Sequence, residues 1–179
     1  MALGATLYSF NIQLSDTDRG VYESLALRVA QHPSEAPDFL VARVLAYCLE
    51  YTEGIAFSKG LSTPDEPAIA VRDLTGQLMA WIDVGLPDAE RLHRASKAAA
   101  RVAVYTHKDP ALLSRAVTGA TIYRADALAL FAFDRDFIAR MVQVLDRRLS
   151  FELAVTGRHL YVSVNGQTLE GQVVSIAPL

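Results

Sequence analysis

The apolar residues of the central stretch change spacing in an order that few folds accommodate. They are helical from about Ser34 to Tyr51, strand-like at Ile55–Phe57, Ala68–Arg72 and Leu78–Val84, helical again to about Ala100, and strand-like over Val102–Thr106. In the first helical run Leu40, Val41, Val44, Leu45, Cys48 and Leu49 recur at spacings of one, three and four, which makes a single apolar face. Pro87 just before Asp88 marks the start of the second helix, with Asp88 as its N-cap. Helix, three strands, helix and strand then form helices packed on one sheet.

On either side of this stretch the sequence is β-rich. The run TLYSFNIQL places Tyr8, Phe10, Ile12 and Leu14 on one face, and VYESLALRV repeats the alternation with Leu25, Leu27 and Val29. That predicts an N-terminal β-hairpin. After a short helix following Pro110, a strand through LALFAF and a helix from Asp134 to about Arg147, three strands are expected near Leu149–Val155, His159–Val164 and Thr168–Ile176. The expectation is one α/β domain over residues 1–179, with a central mixed sheet flanked by helices, an N-terminal hairpin and a C-terminal β-rich extension.

Several classes fall away on composition. A net charge of −3 gives no global attraction to a polyanion, so nucleic-acid binding needs a local basic face. The longest apolar run, Ala127–Phe133, is far shorter than a membrane-spanning helix. The N-terminus has no basic segment ahead of an apolar one, which argues against a cleaved signal and for a cytoplasmic protein. A lone cysteine, Cys48, falls on the apolar face of a helix, and His32, His93, His107 and His159 show no zinc-binding spacing. Walker, GxGxxG and GxSxG loops are absent.

The chemistry-bearing candidates are two acids. Pro64-Asp65 precedes the second strand and Asp83-Val84-Gly85 closes the third, the order in which the PD-(D/E)XK (restriction-endonuclease-like) core places its acids. Two carboxylates and a main-chain carbonyl suffice to hold Mg²⁺, which keeps its remaining waters and activates one of them against a phosphodiester. The motif lysine, which would orient or deprotonate that water, is replaced by Gly85. The plain alternative makes Asp65 a solvated turn residue and Asp83 a polar strand end. A metal-only role for Asp83 predicts that Asp83→Ala costs little stability, a structural role that it costs much.

Five segments together resemble the YaeQ family: MALGATLYSFNI at the start, HPSE at His32–Glu35, a helix carrying Arg43, GL followed by DEP at residues 60–67, and WIDVGLPD at Trp81–Asp88. The resemblance implies a bacterial protein with a variant of the PD-(D/E)XK fold. Position by position it marks Ser34 and Glu35 at the first helix, Asp65 and Glu66 in the DEP segment, and Asp83 on the third strand. The family more usually has Glu at that last position. Glu35 fits the acid that such nucleases place on the first helix, although a charge at a helix N-terminus and capping by Ser34 explain the same residues.

Arg91, Arg94, Lys97 and Arg101 follow at three- and four-residue spacing, so a helix would present them as one stripe. Lys97 and Arg94 are therefore candidates for the displaced lysine, and Lys59, near Asp65, is another. The stripe, Arg91 included, could instead contact phosphates, or be a solvated helix face. Besides a polar cleft that binds a small phosphorylated molecule through the Arg91–Arg101 stripe, two functions follow from these residues. One is a Mg²⁺- or Mn²⁺-dependent phosphodiesterase in which Asp65 and Asp83 hold the ion, Glu35 assists and Lys97 completes catalysis, with Ser34, Arg43, Lys59, Glu66, Arg91 and Arg94 binding. The other is a catalytically inactive protein on the same core that binds nucleic acid or a protein partner in a regulatory role.

Overall fold

Both strands of the N-terminal hairpin extend past their apolar alternation and pair in unbroken antiparallel register, from Thr6 opposite Gln31 to Asp16 opposite Val21. In chain order the elements are β1 (Thr6–Asp16), β2 (Val21–Gln31), α1 (Pro37–Leu49), β3 (Ile55–Phe57), β4 (Ile69–Arg72), β5 (Leu78–Val84), α2 (Ala89–Ala98), β6 (Arg101–Thr106), α3 (Pro110–Val117), β7 (Ala129–Phe133), α4 (Arg135–Val144), β8 (Arg148–Thr156), β9 (His159–Val164) and β10 (Gln167–Ser175). The structure, a computed structural model, describes residues 4–58 and 65–177. It is a mixed α/β fold whose chain forms two units, Met1–Val41 with Asp134–Val173 and Ala42–Phe133 with Val174–Leu179.

In the first unit the strand order is β2-β1-β8-β9-β10, and β1 pairs with β8 in parallel across most of the chain's length. Alternation sends Phe10, Ile12, Leu14, Leu25, Leu27, Val29, Phe151 and Leu153 into the core. Asp134 caps α4 by accepting from the Asp136 amide, and the helix buries Phe137, Ile138 and Met141. Gly171 of β10 lies against the Phe137 side chain, where an added Cβ would overlap the ring and its Cβ.

Two loops of this unit are joined by one carboxylate. Asp18, in the β1–β2 turn, accepts from the amides of Gly157 (2.7 Å) and Arg158 (2.9 Å) in the β8–β9 turn, and Thr17 Oγ1 donates to Val155 O at 2.8 Å. The Arg158 amide, then the Gly157 amide, hold the Asp18 carboxyl below the ordinary aspartate value.

The second unit has the order β7-β6-β5-β4-β3. Here β3, β4 and β5 form an antiparallel meander, while β6 joins β5, and β7 joins β6, in parallel. The β4–β5 turn is fixed by Asp73 Oδ1, which accepts from the Thr75 and Gln77 amides and the Thr75 hydroxyl. Trp81, Leu92, Ala95, Ala99, Val102, Val104, Leu113 and Leu130 pack into one cluster beneath α2 and α3. Among the described residues no helix is long and apolar enough to cross a membrane.

Helix boundaries differ from the sequence expectation: α4 ends at Val144 rather than near Arg147, and α1 at Leu49 rather than near Tyr51. The first helix starts at Pro37, with Asp38 as the acid of its first turn, rather than near Ser34. Proline is favoured in the first turn because its fixed φ suits a helix and its missing N–H has no partner there in any case. Ser34 therefore does not cap the helix: its hydroxyl lies 2.7 Å from His32 Nδ1, which also accepts from the Ser34 amide.

Gly171→Ala should destabilise the protein by about 1–3 kcal/mol, the usual cost of forcing an extra methyl group into a packed site, read as a lower urea midpoint at unchanged m-value. Because Asp18 titrates lower in the folded chain than in the unfolded one, its contribution is present above the unfolded value and is lost as pH falls through the folded value. Asp18→Asn should therefore flatten the acid limb of a stability-against-pH curve and leave its slope near neutrality unchanged.

Candidate functional site

The polar centre of the second unit is built where β5 hands over to α2. Gly85 takes φ of 91° and donates its amide to Tyr105 O at 2.9 Å, which turns the chain sharply off the strand. Asp88 then caps α2, its Oδ1 accepting from the Arg91 amide at 2.8 Å. This makes Arg91 the third helical residue and brings its side chain back over the end of β5. There Arg91 Nε donates to Asp83 Oδ2 at 2.6 Å and Arg91 Nη2 to Asp83 Oδ1 at 3.0 Å, a bidentate ion pair.

The pair has further partners. Arg91 Nη2 also donates to Glu66 O at 2.7 Å, and the Ala68 amide donates to Asp83 Oδ1 at 3.3 Å. Arg91 Cζ lies 5.2 Å from the centre of the Trp81 ring, which shares a face of β5 with Asp83. Side-chain exposure is 4% for Asp83 and 23% for Arg91, so the carboxylate is the deeper partner. The hydrogen-bonded Asp83 carboxylate raises the Arg91 pKa above its ordinary value against the effect of burial, with smaller contributions from the charges of Asp83, Asp88 and Asp65.

The other candidate residues are dispersed. Asp65 and Glu66 are exposed, and Glu66 reaches the centre through its backbone carbonyl. Arg94 faces Glu90 at 3.7 Å with both side chains well exposed, and Lys97 is exposed near the end of α2. Arg101 does not continue their helical stripe, because α2 ends at Ala98 and Arg101 begins β6. Its guanidinium instead grips Glu50, Nη2 to Oε1 at 2.8 Å and Nε to Oε2 at 3.3 Å, and Tyr105 Oη donates to the same Oε1 at 2.8 Å. Arg43 is buried in α1 with its guanidinium over the Phe57 ring, away from solvent. In the first unit Glu35 is buried, its amide donating to His32 O and its carbonyl accepting from Gln31 Nε2. Lys59 and Pro64 lie outside the described residues.

A divalent ion would need Asp83 oxygens at about 2.1 Å, and both already accept from one guanidinium. Among the described residues no group of three or more His, Cys, Asp or Glu side chains is arranged to hold an ion. As placed, Asp83 has a guanidinium where a divalent ion would stand. The partnership of Asp83 with Arg91 was within reach of the sequence. With Asp88 as N-cap, Arg91 is a cation in the first turn, at the positive end of the helix dipole, where a positive charge is unfavourable unless an acid answers it.

The family model described as "YaeQ protein" matches residues 1–173. The chain belongs to the YaeQ family. It is 29% identical over 177 residues to "Uncharacterized protein YaeQ" of Escherichia coli (strain K12), covering 95% of this chain and 94% of that protein. The Salmonella typhi protein of the same description is 29% identical over 181 residues, covering 98% and 97%. The crystal structure of the YaeQ protein from Pseudomonas syringae superimposes with a TM-score of 0.86 at 29% identity, over 97% of this chain and 96% of that one. That of Xanthomonas axonopodis pv. citri YaeQ gives 0.82 at 25%, over 98% and 99%. The mixed α/β fold is thus that of solved YaeQ proteins.

Removing one partner of the buried pair leaves the other unanswered. Asp83→Ala and Arg91→Ala should each cost on the order of 3 kcal/mol, and the double variant much less than the sum. Urea unfolding of the three variants measures this cycle. A cost near zero for Asp83→Ala would remove the structural role of the carboxylate.

Proposed function

We propose that this YaeQ protein uses a nuclease-like core for binding rather than for phosphodiester hydrolysis. The run α1, the β3–β4–β5 meander, α2 and a β6 parallel to β5 agrees in order with the PD-(D/E)XK core, and Asp83 stands where that core keeps its second acid. The observation that supports the reading is the bidentate Arg91 on Asp83, which puts a protein cation against both carboxylate oxygens, where a divalent ion would stand. The motif lysine is Gly85. The ligand class is nucleic acid, contacted at phosphates by Arg94 and Lys97 on the exposed side of α2, weakly because the whole chain carries a net charge of −3, and with a salt dependence set by those two contacts.

A second reading keeps the Mg²⁺- or Mn²⁺-dependent phosphodiesterase, with Asp65 and Asp83 as ligands, Glu35 assisting and Lys97 in place of the motif lysine. It requires Arg91 to exchange Asp83 for a substrate phosphate. The partial exposure of Arg91 favours it, as does the charge of Asp65 acting on that guanidinium.

Calorimetric titration of Mn²⁺ into the wild type, Asp65→Ala and Asp83→Ala proteins, with and without oligonucleotide, separates the two. The binding reading expects no ion uptake and no cleavage under any condition. Uptake that both variants abolish, with cleavage of the oligonucleotide, establishes the phosphodiesterase instead. For the ligand class, Arg94→Glu with Lys97→Glu should weaken oligonucleotide binding and reduce the slope of log affinity against log salt by about 1–2, near one unit per lost phosphate contact. Unaltered affinity would turn the search to a protein partner.

A further inference from the structure

We propose that Arg91 is the resident cation of this acidic centre and the positioning residue for segment 65–68, which leads into β4. The inference rests on the reading above, that Asp83 is closed to metal.

The segment is held through its backbone from two sides. Arg91 takes the Glu66 carbonyl, and Asp83 takes the Ala68 amide. These two grips depend on each other, since the Nη2 that binds Glu66 also binds the Asp83 oxygen that accepts from Ala68. A single planar fork therefore links the end of β5, the first turn of α2 and the segment before β4. The centre of the Trp81 ring lies 5.2 Å from Cζ of that fork.

Only a guanidinium meets all of these demands. A lysine ammonium is a point charge that cannot present two parallel N–H bonds to a carboxylate from one planar group. A hydrated Mg²⁺ or Mn²⁺ would accept oxygens from Asp83 and Glu66 but keeps a shell of waters and its octahedral geometry, so it would not lie against the ring. The placement of a cation at the positive end of a helix is otherwise unfavourable. Here the acids Asp83, Asp88 and Asp65 all act on it.

The test uses the chain's single tryptophan, Trp81, whose ring lies under Arg91 and reports on its presence. Arg91→Ala should shift Trp81 emission and speed hydrogen exchange at the Ala68 amide by about tenfold or more. Millimolar ethylguanidinium should reverse both changes, and Mn²⁺ should reverse neither. Arg91→Lys, which keeps the charge and serves if the alanine variant does not fold, should leave exchange in β6 unchanged and still deprotect Ala68. Full Ala68 protection in the lysine variant, or rescue of the alanine variant by Mn²⁺ as good as by ethylguanidinium, overturns the proposal. Mn²⁺ uptake by the wild type would sink the metal-closed reading itself. Unchanged Ala68 exchange in Arg91→Ala without such uptake would sink this inference alone.

Discussion

A carboxylate buried at the end of a parallel strand and a guanidinium in the first turn of the next helix neutralise each other, and much of the second unit is arranged around that neutralisation. Either ion alone would cost several kcal/mol to bury. Paired at 2.6 and 3.0 Å, they let β5 run into the interior with a charged residue on it and let α2 start with a cation against its dipole. The same contact fixes where α2 can sit over β5, because Arg91 reaches Asp83 only when the turn through Gly85 and the Asp88 cap bring the helix back over the strand. Leu92 and Ala95, the residues that follow Arg91 into the core, then meet Trp81 and Val104 in one cluster.

Where the chain alternates or repeats cleanly, the sequence was sufficient. The hairpin of β1 and β2, the strands β5, β6 and β9, the Asp88 cap and the helix after Pro110 all lie at or near their expected places, because a half-buried strand or helix face writes its period directly into the order of apolar residues. The parallel pairing of β1 with β8 was not legible. It joins residues roughly 140 positions apart, and no local pattern specifies a partner at that distance. At α1, two start signals competed. Ser34-Glu35 has the composition of a helix cap, but Pro37 has the backbone of a first turn, and the backbone constraint prevailed.

The candidate site was legible in its residues and not in their pairing. The sequence offers Asp65 and Asp83 together and does not rank them; Asp83 is buried, whereas Asp65 lies in solvent. Helical spacing alone makes Arg91, Arg94, Lys97 and Arg101 one basic stripe of four equivalent charges. Burial makes them different: Arg91 answers Asp83, Arg101 answers Glu50 from a strand, and only Arg94 and Lys97 remain on the open side of α2. A helical wheel records angle and not depth, so it cannot distinguish a cation that solvates from one that must find an acid.

That difference bears on chemistry as well as on packing. A divalent ion is exchangeable, polarises what it binds and lowers the pKa of a coordinated water towards neutrality. A guanidinium held by an acid gives up no proton near neutral pH and has no acceptor with which to take one, so it can orient a ligand but not generate a nucleophile. While Arg91 stays on Asp83, each carboxylate oxygen accepts a charged hydrogen bond, which makes the carboxylate a weaker base. An activity on a phosphodiester that used Asp83 as a free carboxylate would begin by transferring Arg91 from Asp83 to the substrate. That exchange would release the Glu66 carbonyl and weaken the grip on Ala68 at the same step, so hydrolysis in this chain would be tied to movement of the segment before β4.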